Sequence, residues 1–233
     1  MRIVVFGANG PTGREVVGQA LATGHQVTAV TRHPEQILPR ERLAVAGADA
    51  TDAAAVSAAV AGSDAVLSAL GVPYTRRPVT VYSTGTANIM AAMRDHGVRR
   101  LVVTGSAALD PGYRSTDSVL FRQVMEPLFM RLPGKTVYAD NRRMEALIRA
   151  SGLEWTIVRA CWLFNAPQVS GYRICENSIR GMFTARADLA ACLLAQLAGD
   201  RYVRKAVGVV TTAGTPSIPQ QIWREGIKKE KKN

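Results

Sequence analysis

Gly7-Ala8-Asn9-Gly10-Pro11-Thr12-Gly13 follows directly on Arg2-Ile3-Val4-Val5-Phe6, an apolar run rich in β-branched residues. Three glycines in that order after a strand can wrap a diphosphate. One lets the backbone turn sharply, one lets it lie against the phosphates, and one lets the next helix pack close on the sheet. The first N–H groups of that helix would receive the phosphate charge, and Pro11 suits a first helical turn because its missing N–H would be unpaired there anyway. Gly7, Asn9, Gly10, Pro11, Thr12 and Gly13 therefore read as a dinucleotide clamp; the alternative is a structural turn that holds no ligand. About twenty residues beyond, at the end of the next expected strand, many NAD-binding folds place an acid on the adenine ribose 2′-hydroxyl. This chain has Thr31-Arg32-His33 there. A guanidinium pairs with a 2′-phosphate that an acid would repel, so Thr31 and Arg32 favour NADP(H), unless Arg32 is only a surface charge.

Groups of this kind need a scaffold that delivers them to one edge. Apolar residues recur at helical spacing after the turn (Val16, Val17, Ala20, Leu21), and Gly24 marks the helix end. Strands are expected at 2–6, 26–31, 42–46, 63–69, 100–104 and 154–159, with helices at 12–23, 52–60, 80–97 and 136–150. That alternation implies an α/β fold, a Rossmann-type doubly wound parallel sheet with helices on both faces. The whole chain, 1–233, reads as a single such domain. Residues 107–135 and 160–233 break the alternation and are expected to contribute a small C-terminal substrate lobe, closed by a helix at 187–198 and a strand at 206–211. In the first segment Val119-Leu120-Phe121, Val124-Met125 and Leu128-Phe129-Met130 form an apolar patch around Pro127. It is either a flap that brings Phe121 and Met125 onto an apolar substrate, or a helix pair buried against the core or in a dimer contact.

The 233 residues are 47% hydrophobic, enough to bury a sizeable core. The first strand begins at residue 2, which leaves no room for a signal peptide, and charges such as Asp64 and Asp188 interrupt the apolar stretches before they reach membrane-spanning length. A soluble, cytoplasmic protein without a membrane partner is expected. Three cysteines (Cys161, Cys175, Cys192) and three scattered histidines suggest neither a disulfide framework nor a metal site. A net charge of +11 raises the question of nucleic acid. The positive residues are dispersed, without aromatic interleaving, which argues against it, and the basic tail at 226–233 reads as a solvated terminus.

Further motifs add to the glycine turn: Asp64-Ala65-Val66-Leu67-Ser68-Ala69-Leu70-Gly71, Leu101-Val102-Val103-Thr104-Gly105-Ser106, Ser151-Gly152-Leu153-Glu154-Trp155-Thr156-Ile157-Val158-Arg159 and Thr184-Ala185-Arg186-Ala187-Asp188. With them the chain resembles, over nearly its whole length, an atypical short-chain dehydrogenase/reductase of the NmrA-like, NAD(P)H-binding group related to biliverdin and flavin reductases. The resemblance implies that Asp49 and Ala50 contact the adenine edge and that Ser68, Ala69, Leu70 and Gly71 pass under the adenine ribose. Carboxyl ends of parallel strands do border the ligand crevice of open sheets, which agrees with this placement.

Catalytic members of the wider superfamily use a serine after the fifth strand and a Tyr-x-x-x-Lys pair on the following helix. By that resemblance Ser106 is the serine, following Thr104 and Gly105 at the cofactor, and Tyr138 with Arg142 is the pair, the lysine replaced by arginine. Tyr138 would then be a proton donor or a packing residue, and Arg142 would reach the nicotinamide ribose. Relatives usually show Arg-Pro after the sixth strand, with the next backbone near the nicotinamide amide, where this chain has Arg159-Ala160-Cys161. Cys161 faces the cofactor or is a buried, inert thiol; Trp162 and Phe164 stack on an aromatic substrate or belong to the core. These residues together imply an NADPH-dependent oxidoreductase, monomer or homodimer, passing hydride to a small apolar or aromatic carbonyl, quinone or flavin-like acceptor. The rival is a non-catalytic NADP(H) sensor.

Overall fold

The computed structural model describes residues 1–73, 75, 77–116, 134–176 and 179–217. Its main sheet has eight strands: β1 (Arg2–Phe6), β2 (Gln26–Thr31), β3 (Leu43–Gly47), β4 (Ala65–Ser68), β5 (Arg100–Ser106), β6 (Glu154–Ala160), β8 (Tyr172–Cys175) and β10 (Lys205–Thr211). They lie in the order β3-β2-β1-β4-β5-β6-β10-β8. All neighbours pair parallel except β10 with β8. This is the Rossmann-type α/β fold.

The sheet is covered on both sides, so its central strands are apolar at successive positions rather than at alternate ones. On β1 the two faces part cleanly. Ile3 and Val5 pack with helices α1 (Pro11–Ala22) and α5 (Arg186–Ala195), through Val16, Val17, Leu189 and Leu193. Val4 and Phe6 pack with α2 (Ala53–Val60), α3 (Val81–Asp95) and α4 (Lys135–Arg149), through Val56, Ile89, Met93 and Ile148. The chain leaves β1 towards β2 and β3, then returns through α2 to β4 on the other side of β1. That reversal opens a crevice above the carboxyl ends of β1 and β4, the place where open α/β sheets bind ligands.

The C-terminal elements differ from expectation. The strand expected to close the substrate lobe is β10, which extends the main sheet beside β6, and α5 packs against α1 on that sheet's face. A buried parallel strand reads the same whichever neighbour it takes. What stands apart is a two-stranded ribbon of β7 (Trp162–Phe164) and β9 (Phe183–Ala185). Thr184 ties it to the sheet: its hydroxyl donates to the Val209 carbonyl (2.6 Å) and accepts from the Cys161 N–H (3.0 Å). The two segments that break the alternation do meet, since Arg114 N–H donates to the Ile179 carbonyl (2.8 Å) and Gly181 N–H to the Arg114 carbonyl (3.0 Å). The apolar patch at 119–130, with Phe121 and Met125, and the tail at 226–233 lie outside the described residues. No described helix is long and apolar enough to cross a membrane.

Candidate functional site

One cleft of about 750 Å³ runs along the carboxyl ends of the parallel strands, within the range that holds cofactors and small ligands. Its floor is the glycine turn. Gly7 has φ +75°, a left-handed conformation that L side chains rarely adopt, and a Cβ there would sit 2.6 Å from the Ala69 carbonyl oxygen. At Gly13 a Cβ would lie 2.1 Å from the Gly7 carbonyl oxygen, so this residue lies beneath the turn and lets α1 approach. Gly10 differs: an added Cβ meets only the Gly7 carbonyl oxygen, at 3.2 Å. Gly7, Asn9, Gly10, Pro11 and Thr12 line the cleft. Asn9 is braced from outside by Arg14 Nη2 (2.6 Å to Oδ1) and donates to Gln36 Oε1 (2.6 Å).

At one end of the cleft stand Thr31, Arg32, His33, Asp49 and Ala50. Thr51 donates to Asp49 Oδ1 from its backbone (2.9 Å) and its hydroxyl (2.8 Å). Those bonds, helped by the charge of Arg32, hold the Asp49 carboxyl below its usual range. Ala69, Leu70 and Gly71 form the middle of the wall, whereas Ser68 is buried within β4 beneath it. Tyr82, which the sequence did not single out, completes this wall, and its hydroxyl accepts the Val72 N–H at 3.1 Å.

The other end gathers Thr104, Gly105, Ser106, Tyr138, Ala160 and Cys161. Among the described residues the Thr104 hydroxyl is buried and finds no hydrogen-bond partner. Ser106 Oγ accepts the Ala108 N–H (3.3 Å) and keeps its own hydrogen to donate. Burial pushes the Cys161 thiol up to about 12, against weaker pulls from the Thr184 and Tyr113 hydroxyls, which makes it a neutral wall residue rather than a nucleophile. Behind this end Arg159 is buried and gripped by Glu145 (3.0 and 2.6 Å) and Asp110 (3.0 Å). Burial alone would lower its pKa, but these carboxylates outweigh it and raise it. Among the described residues no cluster of three His, Cys, Asp or Glu could hold a metal.

The NAD(P)H-binding family matches residues 7–200, which contain the turn and every described lining residue of the cleft but Phe6. The chain belongs to this family. An uncharacterized protein of Mycobacterium tuberculosis (strain H37Rv) is 30% identical over 164 residues, 70% of this chain but 15% of its own length. An uncharacterized chloroplastic protein of Arabidopsis thaliana is 32% identical over 179 residues, 71% of this chain and 60% of its own. The chain thus spans less than two thirds of the length of either relative. A short-chain dehydrogenase/reductase from Veillonella parvula, solved in complex with NADP, shares the fold at TM-score 0.75 and 19% identity, covering 93% of this chain and 99% of that one. ChuY, an anaerobillin reductase from Escherichia coli O157:H7, does so at TM-score 0.72 and 19% identity, with 93% and 100% covered.

In this NAD(P)H-binding protein the Tyr138–Arg142 pair is not brought together. Arg142 is exposed and lies off the cleft, while Val137, Tyr138 and Asn141 line it. The cleft-facing pair four residues apart on α4 is therefore Val137 and Asn141, the latter 5% exposed and donating from Nδ2 to the Val137 carbonyl (3.1 Å). Both registers satisfy an i, i+4 spacing, and spacing alone does not say which stripe of a helix turns inward. Of the two places open to Phe164 the structure shows the core rather than the substrate side: at 4% exposure it packs edge-on to Phe183, off the cleft. Trp162 does line the cleft. So do Tyr113, Leu163 and Arg186, of which only Arg186 sat in a recognised motif.

Proposed function

We propose that the protein is an NADPH-dependent reductase of a small apolar or aromatic acceptor, working in the cytoplasm as a single domain with the β7–β9 ribbon as its substrate side. The observation that carries this reading is the continuity of the cleft from Arg32 to Trp162 along the strand ends. The residues present fit the cofactor. Gly10 leaves the cleft floor without a side chain where a diphosphate would lie, and the orphaned Thr104 hydroxyl asks for a ligand, since buried polar groups without partners are rare in native proteins. Arg32 would hold the 2′-phosphate, Asp49 and Ala50 the adenine edge, and Ala69 to Gly71 the ribose. Thr104, Ser106, Ala160 and Asn141 would face the nicotinamide half. The NADP complex of the Veillonella protein and the reductase activity named for ChuY support the same reading.

When bound, NADPH supplies a hydride, and the protein's part is to orient it and shape the acceptor site. Asn141 is neutral and Arg142 lies off the cleft, so these two residues bring no positive charge to the phenol of Tyr138. Loss of a phenolic proton is favoured by a nearby cation. An acceptor that draws its proton from water, a quinone or flavin-like ring, therefore suits the site better than a ketone that needs an enzymic acid. Neutral Asn141 also supports a second reading, a sensor that binds NADP(H) without turnover.

A screen of NADPH oxidation against quinones, flavins and aromatic ketones, run beside NADH and with Tyr138→Phe, tests the proposal. Many turnovers per chain with a quinone or flavin, and a Tyr138→Phe rate within a few-fold of wild type, are expected. Inactivity across the panel overturns the reductase reading in favour of the sensor. A loss of about 10²–10⁴-fold in Tyr138→Phe on a ketone would make Tyr138 the general acid after all.

A further inference from the structure

The end of the cleft remote from Arg32 is carried by separate stretches of chain: the end of β5 with the loop after it, the inner stripe of α4, and the residues that leave β6. One buried side chain joins all of them. Arg159, next to Ala160 on β6, lies opposite Gly105 in the sheet register. Its Nε and Nη2 donate to the two oxygens of Glu145 on α4 (3.0 and 2.6 Å), and its Nη1 donates to Asp110 Oδ2 beyond β5 (3.0 Å). Asp110 passes the hold on, since its Oδ1 accepts the Gly112 N–H (2.7 Å) in the loop between Ala108 and Tyr113, both of which line the cleft. Glu145 stands one helical turn beyond Asn141 and on the same face, so its hold on Arg159 bears directly on that lining residue.

The ion pair also accounts for Gly105. A Cβ there would meet Ile157 Cγ2 at 2.8 Å, Glu145 Oε1 at 3.2 Å and Arg159 Cγ at 3.3 Å, so the paired carboxylate and guanidinium lie directly behind a residue of the cleft wall. Buried ion pairs are often replaced by apolar residues of like volume without loss of stability. What the fork adds is direction. Packing of Met144 and Ile148 turns one stripe of α4 inward, but apolar contact is non-directional. Two parallel N–H···O bonds fix an angle as well as a distance. The exposed Arg149 meets the same Glu145 carboxylate only at 3.6 Å, beyond a hydrogen bond.

We propose that Arg159 is a positioning residue for the nicotinamide half of the cofactor: through Glu145 it sets where Asn141 points, and through Asp110 it sets the loop that follows Ser106. The adenine half, at Arg32 and Asp49, is held by none of these contacts. The assignment rests on the reading that NADP(H) lies along the cleft with its adenine end at Arg32.

The test is calorimetric titration of NADPH, and of adenosine 2′,5′-bisphosphate as a probe of the adenine half alone, into wild type, Arg159→Lys and Glu145→Gln. Lysine keeps the charge without the fork, and glutamine keeps an acceptor oxygen without the charge, so both variants leave the site filled. NADPH affinity should fall about ten-fold in each, the worth of about one hydrogen bond at the nicotinamide end, while affinity for the bisphosphate stays within about two-fold of wild type. Asp110→Asn, on the less buried arm, gives the same comparison should the other two variants not fold, with a loss of about three-fold expected for NADPH alone. A loss shared equally by both ligands would make Arg159 a general structural residue, and unchanged NADPH affinity in the variants would leave it no part in cofactor binding; either result overturns the proposal. The two readings fail separately. A wild type on which the bisphosphate does not compete with NADPH removes the placement of the cofactor, and this assignment with it; competition in the wild type with a shared loss in the variants removes the assignment alone.

Discussion

Gly10 and Gly13 lie three residues apart and do different work. A side chain at Gly13 would collide with the Gly7 carbonyl at 2.1 Å, so that glycine belongs to the packing of α1 on β1. A side chain at Gly10 meets one oxygen at 3.2 Å and otherwise occupies the cleft floor. Gly10→Val should therefore melt within a few degrees of the wild type yet lose NADPH affinity by about a hundred-fold or more, a cost above ~2.7 kcal/mol. Thermal denaturation beside a titration checks both halves, and a folded variant that binds normally would place the nucleotide elsewhere. Both glycines were legible from the sequence because strand, turn and Pro11 constrain one another within a dozen residues. Asn141 was not. The choice between a 138/142 stripe and a 137/141 stripe depends on how α4 is rotated against β5 and β6, which long-range packing of Met144 and Ile148 decides.

Among the elements, α3 is held at its start by another helix. Its N-cap Thr80 makes no side-chain cap, and Asp140 of α4 supplies the acceptor instead, at 2.9 Å from Tyr82 N and 3.3 Å from Ser83 N. The carboxylate is wholly buried and also takes the Ser83 hydroxyl and Arg143 Nη2 (3.0 Å). Asp140→Ala should cost about 1–2 kcal/mol for the cap, read as a lower urea midpoint, and should weaken NADPH binding because Tyr82 on the cleft wall loses its anchor. Asp140→Asn, which keeps an acceptor, should lose less of both. A midpoint and affinity equal to wild type in Asp140→Ala would show that Thr80 and water cap the helix unaided. A cap delivered from 58 residues away leaves no local signature. The same limit explains the C-terminal elements: β1 to β6 are apolar runs set off by the helices between them, whereas the short strands β7, β8 and β9 follow one another with no described helix to mark them off.

For the molecule as a whole, burial governs how stability responds to pH. The thiols of Cys161 and Cys192 are pushed from an ordinary 9.0 up to about 12, and burial raises Tyr172 as well. The folded state then keeps protons that the unfolded chain releases, so the stability present below pH 9 is lost as the pH climbs towards 12. The melting temperature should fall between pH 9 and 11, with a flatter slope in Cys192→Ala; identical slopes would show that this thiol contributes nothing to the alkaline loss. The net charge of +11 favours anionic ligands at long range, and the proposed reading gives that preference a position at Arg32, beside Asp49. The central claim, that this cleft is built for NADP(H), is tested most directly by calorimetric titration of NADPH and NADH into wild type and Arg32→Ala. NADPH should bind more tightly than NADH in the wild type, and Arg32→Ala should reduce that preference by about ten- to a hundred-fold, whereas equal affinities for the two cofactors in the wild type would contradict the claim.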